Sequence, residues 1–262
     1  MISSTSNQKV KELLQLQKKS KVRNQAGVFL VEGVRMLREA PKDRLQKLYV
    51  SESCYKRYQK EFEAGQMGCG VTEVLSDTVF AYVSDTKTPQ GVLGVVHRME
   101  YSISDLFRRD NPLILVLDGL QDPGNVGTIF RTAEAAGVSG ILLSENCVDI
   151  YNPKTIRSTM GAVYRMPFLA VQNVAEAVGE LKKRGICVYA AHLEGKHSYE
   201  QESYLGGTAF LIGNEGNGLS REAEECADTW IRIPMCGEAE SLNAAVAAAV
   251  LMFEVSRQRR EN

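Results

Sequence analysis

Three polar stretches carry the residue types that chemistry needs. The first runs Asp118-Gly119-Leu120-Gln121-Asp122-Pro123-Gly124-Asn125, with Arg131 six residues beyond Asn125. The second, Gly213-Asn214-Glu215-Gly216-Asn217-Gly218, sets a single carboxylate among glycines and asparagines. The third leaves Ile231-Arg232-Ile233-Pro234 and reaches Ser241-Leu242-Asn243. Amides, a hydroxyl, a carboxylate and a guanidinium can orient a substrate hydroxyl and stabilise developing charge. Glycines at close spacing after a strand let backbone approach a ligand or adopt positive φ. Each feature also has a plainer account. The glycines could form a strand-to-helix turn with Ser220 as N-cap. Asn125 and Ser241 could each cap a helix. Glu215 could accept backbone N–H groups and shape its loop, and Arg131 could be solvated or ion-paired. The residues alone leave these roles open.

The elements that must position these stretches follow from periodicity. Leu113-Ile114-Leu115-Val116-Leu117 is a continuous apolar run, as expected of a parallel strand buried on both faces. A helix follows through Val126, Ile129, Phe130, Ala133 and Ala136, stopped by Gly137. Strands are predicted at 140–143, 168–171, 187–191, 208–212 and 231–234, and helices at 152–160, 174–183 and 243–257. The polar loops then sit at the carboxyl ends of parallel strands, the edge where open α/β sheets bind ligands. The first loop is not G-x-G-x-x-G and has no acidic partner at the expected spacing, so a dinucleotide site is poorly supported.

The first half alternates as well: a helix at 7–20, strands at 27–33, 45–50, 71–75 and 91–97, and helices from Val34 to Ala40, at 52–63 and at 77–83. Residues 98–112 are polar and end in Asn111-Pro112, which places a domain boundary there. We take residues 1–107 as a small α/β domain and 108–262 as a larger open α/β sheet.

With 262 residues, 44% hydrophobic and 24% charged, the chain has the composition of a globular protein with a sizeable core. Cys54, Cys69, Cys147, Cys187, Cys226 and Cys236 form no C-x-x-C pair and no cluster with histidine, which argues against a disulfide framework or a metal site. The polar N-terminus shows no secretion signal, and no apolar run is long enough to span a bilayer, so a cytoplasmic protein is expected. The net charge of −1 is near neutral, but six basic residues (Lys9, Lys11, Lys18, Lys19, Lys21 and Arg23) face only Glu12 in the first 25 residues. Such a segment can neutralise phosphates, or form a solvated helix face.

In their order, Asn125-x5-Arg131, Gly213-Asn214-Glu215-Gly216-Asn217-Gly218 and Ile231-x-Ile233-Pro234-Met235 with Ser241-Leu242-Asn243 resemble the three motifs of the SpoU (TrmH-type) branch of the SPOUT RNA methyltransferases. The resemblance covers about residues 113–257. The first half resembles the substrate-binding domain of that family, on Phe29-Leu30-Val31-Glu32-Gly33 and the β/α alternation. The resemblance implies a trefoil-knotted α/β domain that binds S-adenosyl-L-methionine, works as a homodimer without a metal, and methylates a ribose 2′-hydroxyl of RNA. It places backbone near Gly213, Ile233 and Leu242 around the cofactor. It places Asn125, Arg131, Glu215, Ser241 and Asn243 at the reaction centre. Arg131 is the family's proposed base, yet an arginine stays protonated, so contact with ribose or phosphate suits it better. The basic N-terminal segment, with Arg35 and Arg38, would grip RNA phosphates. A folded first domain favours large-subunit rRNA over tRNA as substrate. A non-catalytic RNA-binding or ribosome-assembly factor on the same fold is the alternative, opposed by the intact polar set.

Overall fold

The computed structural model describes residues 1–64 and 71–261, so Cys69 lies outside the described residues. The chain forms two compact units. The first holds Met1–Met99 and Asp149–Tyr164, the second Glu100–Val148 and Arg165–Asn262. The division therefore differs from the expected one at 107/108. Leu106 is fully buried in the core of the second unit. It packs so closely on Gly140 that a Cβ there would lie 2.3 Å from it, which commits residues 100–107 to the second unit.

In the first unit, α1 (Gln8–Lys18) and α2 (Ser20–Ala26) replace the single helix expected at 7–20. Lys19 is extended between them, and α2 ends on Gly27 at φ +64°, a conformation glycine takes without strain. Then come β1 (Val28–Glu32), α3 (Val34–Glu39), β2 (Leu45–Ser51), α4 (Glu52–Arg57), α5 (Gln59–Glu63), β3 (Thr72–Leu75), α6 (Asp77–Val83) and β4 (Val92–His97). The sheet order is β1-β4-β2-β3; β4 is antiparallel to both neighbours, and β2 and β3 are parallel. Val10, Leu13, Leu30, Tyr49, Leu75, Val79, Phe80 and Leu93 form its core.

The second unit starts with β5 (Leu113–Leu117), α7 (Pro123–Ala136) and β6 (Gly140–Ser144). Residues 149–164, with α8 (Pro153–Thr159), then return to the first unit. Tyr151 and Tyr164 pack their rings near Phe29, and the Tyr164 hydroxyl donates to the Met36 carbonyl at 3.0 Å. Arg23, only 3% exposed, pairs with Asp149 at 2.5 Å and donates to the carbonyls of Leu16 and Gln17. It is a structural tie, so its expected role as a phosphate contact is corrected.

The second unit resumes with β7 (Phe168–Val171), α9 (Val174–Lys183), β8 (Cys187–Ala191), the two-residue β9 (His197–Ser198), β10 (Thr208–Ile212), α10 (Arg221–Glu225), β11 (Thr229–Arg232) and α11 (Ala244–Glu261). Its sheet runs β7-β6-β5-β10-β8-β11-β9, every pair parallel. All residues of β5, β6 and β10 are buried, as their apolar runs require. The last strand ends at Arg232 rather than 234, because Pro234 offers no N–H to a ladder. Among the described residues no helix is long and apolar enough to cross a membrane, and no group of His, Cys, Asp and Glu could hold a metal ion.

Candidate functional site

The carboxyl ends of β5, β10 and β11 release the three polar stretches. Asp122 caps α7: its side chain accepts from the Asn125 N–H at 2.8 Å, with Pro123 pre-set in the first turn. Asn125 is therefore not the cap, and its amide is free to reach across the loops. Ser241 is not a cap either. Asn243 takes that place on α11, its Oδ1 accepting from the Ala245 N–H at 2.9 Å and the Val246 N–H at 3.3 Å. Ser220 does cap α10, accepting from the Ala223 N–H.

The glycine loop after β10 is closed by Asn214. Its backbone exchanges two hydrogen bonds with Gly218, its Oδ1 accepts from the N–H groups of Gly216 and Asn217, and its Nδ2 donates to the Gly119 carbonyl at 2.7 Å. A Cβ on Gly213 would lie 2.3 Å from the carbonyl carbon of Gly218, so only glycine fits. Two of the loop's glycines thus serve its own closure: Gly213 by contact and Gly218 by its φ of +71°. Asn214 escaped the sequence reading, although an asparagine two residues before a glycine is a known turn-former.

The turn points Glu215 at the first loop. Its Oε1 accepts from the Asn125 side-chain amide at 2.9 Å and the Asp122 N–H at 3.2 Å, and its Oε2 accepts from the Gln121 N–H at 3.2 Å. Asn125 Oδ1 in turn accepts from Asn243 Nδ2 at 2.9 Å. The orientation of each amide follows from the next. The Asn243 oxygen is taken by the amino end of α11, so its NH2 must face Asn125. The Asn125 oxygen is then taken, so its NH2 must face Glu215, which accepts as an ionised carboxylate. Partial burial works against ionisation of Glu215. The hydrogen bonds from Asn125 and from backbone N–H groups outweigh it and hold the carboxyl below its usual value.

Beside this relay lies a cavity of about 550 Å³, within the usual size range of small-molecule pockets. Gly213, Asn214, Glu215, Ile233, Ser241 and Leu242 line it, with Ala244, Ala247 and Leu251 of α11 as apolar wall. The cofactor residues expected from sequence thus share one cavity with Glu215 and Ser241. His192 and Glu240 line it too and were not anticipated. His192 accepts from the Glu194 N–H on Nδ1 at 3.1 Å, which leaves Nε2 to donate to Glu224 at 3.1 Å. Arg131 is not part of the relay. It lies six residues along α7 from Asn125, about a third of a turn round and ~9 Å along the axis. It is exposed and has no hydrogen-bond or ion-pair partner among the described residues.

The profile of the SpoU rRNA Methylase family matches residues 112–253, more than half of the chain and all three loops. The chain belongs to the SpoU rRNA methylase family. Within it, residues 7–94 match an MRM3-like substrate binding domain. A similar relative is RlmP of Bacillus subtilis (strain 168), a 23S rRNA (guanosine(2553)-2′-O)-methyltransferase, 35% identical over 256 residues that cover 97% of this chain and 98% of RlmP. Among solved structures, the SpoU methyltransferase AviRb from Streptomyces viridochromogenes, crystallised with AdoMet, matches with a TM-score of 0.88 at 26% identity, covering 98% of this chain and 99% of AviRb. An AdoMet-bound rRNA methyltransferase from Sinorhizobium meliloti matches with a TM-score of 0.83 at 30% identity, covering 98% and 97% of the two chains.

Proposed function

We propose that this SpoU methylase transfers a methyl group from S-adenosyl-L-methionine to a ribose 2′-hydroxyl of large-subunit rRNA. The observation that carries the reading is the Glu215–Asn125–Asn243 relay at the edge of the cavity. The residues present fit the cofactor. The glycine loop offers backbone without side chains, Leu242, Ala244, Ala247 and Leu251 offer apolar surface, and the Glu215 and Glu240 carboxylates suit a cationic sulfonium. When bound, S-adenosyl-L-methionine supplies an electrophilic methyl group for in-line displacement.

The protein's part is positioning and charge. Asn125 and Asn243 each keep one amide N–H beyond the relay, and these orient the ribose. Glu215 holds Asn125 in the productive orientation. A carboxylate kept below its usual pKa is a weak base, so Glu215 is a positioning group. Arg131, a cation with no partner among the described residues, contacts the ribose or an adjacent phosphate and stabilises negative charge on the attacking oxygen. Ser241 presents its hydroxyl to the same cavity.

The chain acts in the cytoplasm as a homodimer. Val246 and Phe253 support the dimer: they lie seven residues apart on one face of α11, 48% and 47% exposed, an uncovered apolar stripe. The second unit carries the trefoil knot of the family, a reading supported by the late insertion of β10 between β5 and β8. The first unit grips RNA. Lys11, Lys18, Lys19 and Lys21 are exposed without an ion pair among the described residues, whereas Lys9 pairs with Glu73, Arg35 with Glu39 and Arg38 with Glu61.

Arg131→Ala and Asn125→Ala test the assignment. Removing one preorganised donor costs on the order of 100-fold in kcat. Radiolabelled methyl transfer to rRNA should fall by at least that much in each variant, while calorimetry finds cofactor affinity retained. Near wild-type transfer in both variants would sink the reading.

A further inference from the structure

At the amino end of β5, roughly 13 Å of strand away from the site just described, lies a concavity of about 320 Å³. Arg109, Leu113, Gly137, Ser256, Arg259 and Arg260 contribute to its lining, which among the described residues includes no Asp or Glu. A neighbouring concavity of about 220 Å³ shares Arg109 and contains Arg108 and Arg165, but there the two unshared arginines each have a carboxylate: Asp105 for Arg108 and Glu134 for Arg165. The contrast is chemical. One hollow pairs two of its three guanidinium groups with carboxylates, and the other gathers three with no ion-pair partner among the described residues.

Two of the three are fixed in place by carbonyls. Arg109 donates to the Gly137 carbonyl at 2.7 Å, at the carboxyl end of α7. Arg259 donates to the carbonyls of Tyr204, Asn111 and Gly206 at 2.9, 2.7 and 2.6 Å. These bonds occupy three of its five N–H groups and aim the fork. Arg260 is exposed and makes no bond among the described residues. Burial, followed by the charge of Arg109, pulls the Arg259 guanidinium below its usual pKa.

We propose that the concavity ringed by Arg109, Arg259 and Arg260 is a second phosphate-binding site of the SpoU unit, which holds the RNA backbone away from the target nucleotide. The proposal rests on the reading above that RNA is the substrate. Arginine forks bind phosphate bidentately, and fixed forks lose little freedom in doing so. The hollow is open, and Arg109 links it to the neighbouring concavity, so it suits a phosphate carried on a chain. Contacts of this kind give affinity and orientation rather than sequence choice.

Binding of transcribed large-subunit rRNA over a series of salt concentrations tests it. In Arg109→Ala/Arg260→Ala the slope of log K against log salt should become shallower by roughly 1.4, about 0.7 for each phosphate contact removed. KM for RNA should rise with it, and S-adenosyl-L-methionine affinity should persist as the sign of an intact fold. Arg260→Ala alone, which removes no side-chain hydrogen bond among the described residues, should give half the change. Arg109→Lys/Arg260→Lys should restore the slope, because the charge returns. An unchanged slope in the double alanine variant overturns the proposal. So does thermal stabilisation by inorganic phosphate that the alanine variant loses while its RNA slope stays put, since that assigns the hollow to a free anion. If wild-type protein transfers no methyl group, the proposed activity fails, yet the salt slopes still report on this site.

Discussion

Asn243 serves two structures at once, and its two ends can be separated. Its oxygen caps α11 and its NH2 sets the orientation of Asn125. Asn243→Asp keeps the capping oxygen and removes the donor, so the cap should hold while Asn125, now between two carboxylates, loses the bond that fixed its orientation. Methyl transfer should then fall by about 100-fold. Asn243→Ala removes both functions and should cost in addition about 1 kcal/mol of stability from the lost cap. Thermal unfolding read beside activity separates the two variants; equal melting temperatures would show that the cap is not made. Glu215 supplies a pH signature. Its folded-state pKa lies below the ordinary value of 4.5, so its contribution to stability is present above that value and is lost as pH falls through the lower folded value. Glu215→Gln should therefore flatten the acid-side decline in stability, measured as urea midpoints from neutral pH downward through the glutamate range. A parallel decline in both proteins would contradict the network drawn around Glu215.

At the scale of elements, the sequence was most readable where burial is two-sided and local pattern decides. The apolar run 113–117 became β5 with every residue buried, and Gly137 ended α7 at φ +79°. Legibility failed where two neighbours competed for one task. Asn125 and Ser241 were read as possible caps, but Asp122 caps α7 and Asn243 caps α11, while Asn125 is drawn to Glu215, a partner far off in sequence. Two-residue β9 carries no periodicity and exists only because β11 offers it an edge. The three loops were recognisable as a set, whereas the internal work of Gly213 and Gly218 emerged only from the backbone they must accommodate. The exposed stripe on α11 yields a prediction of its own. Val246→Glu/Phe253→Glu should convert the proposed dimer to monomer by light scattering, whereas a dimer that survives both charges would place the interface elsewhere.

For the whole molecule, the excursion of residues 149–164 changes how the units can be separated. Removing residues 1–98 alone strips the partners from Tyr151, Ile156 and Tyr164, all buried in the folded chain. That truncation should aggregate. A version that also replaces residues 149–164 with a short polar linker should stay soluble, bind S-adenosyl-L-methionine and bind RNA more weakly than the full chain. Calorimetry and filter binding decide it, and a soluble, cofactor-binding simple truncation would mean that the excursion does not need the first unit. No local pattern could have assigned residues 149–164, because their helix pattern fits either unit equally well.

The same excursion imposes a timetable on synthesis. The first unit is encoded first but lacks Asp149, Tyr151 and Tyr164 until the ribosome has already made β5, α7 and β6. β5 and β6 therefore emerge and wait, β5 without β10 and β6 without β7, while the amino-terminal unit is still unfinished. Translation speed and chaperone access across residues 113–164 become determinants of yield, since unpaired apolar strands are what aggregating intermediates expose.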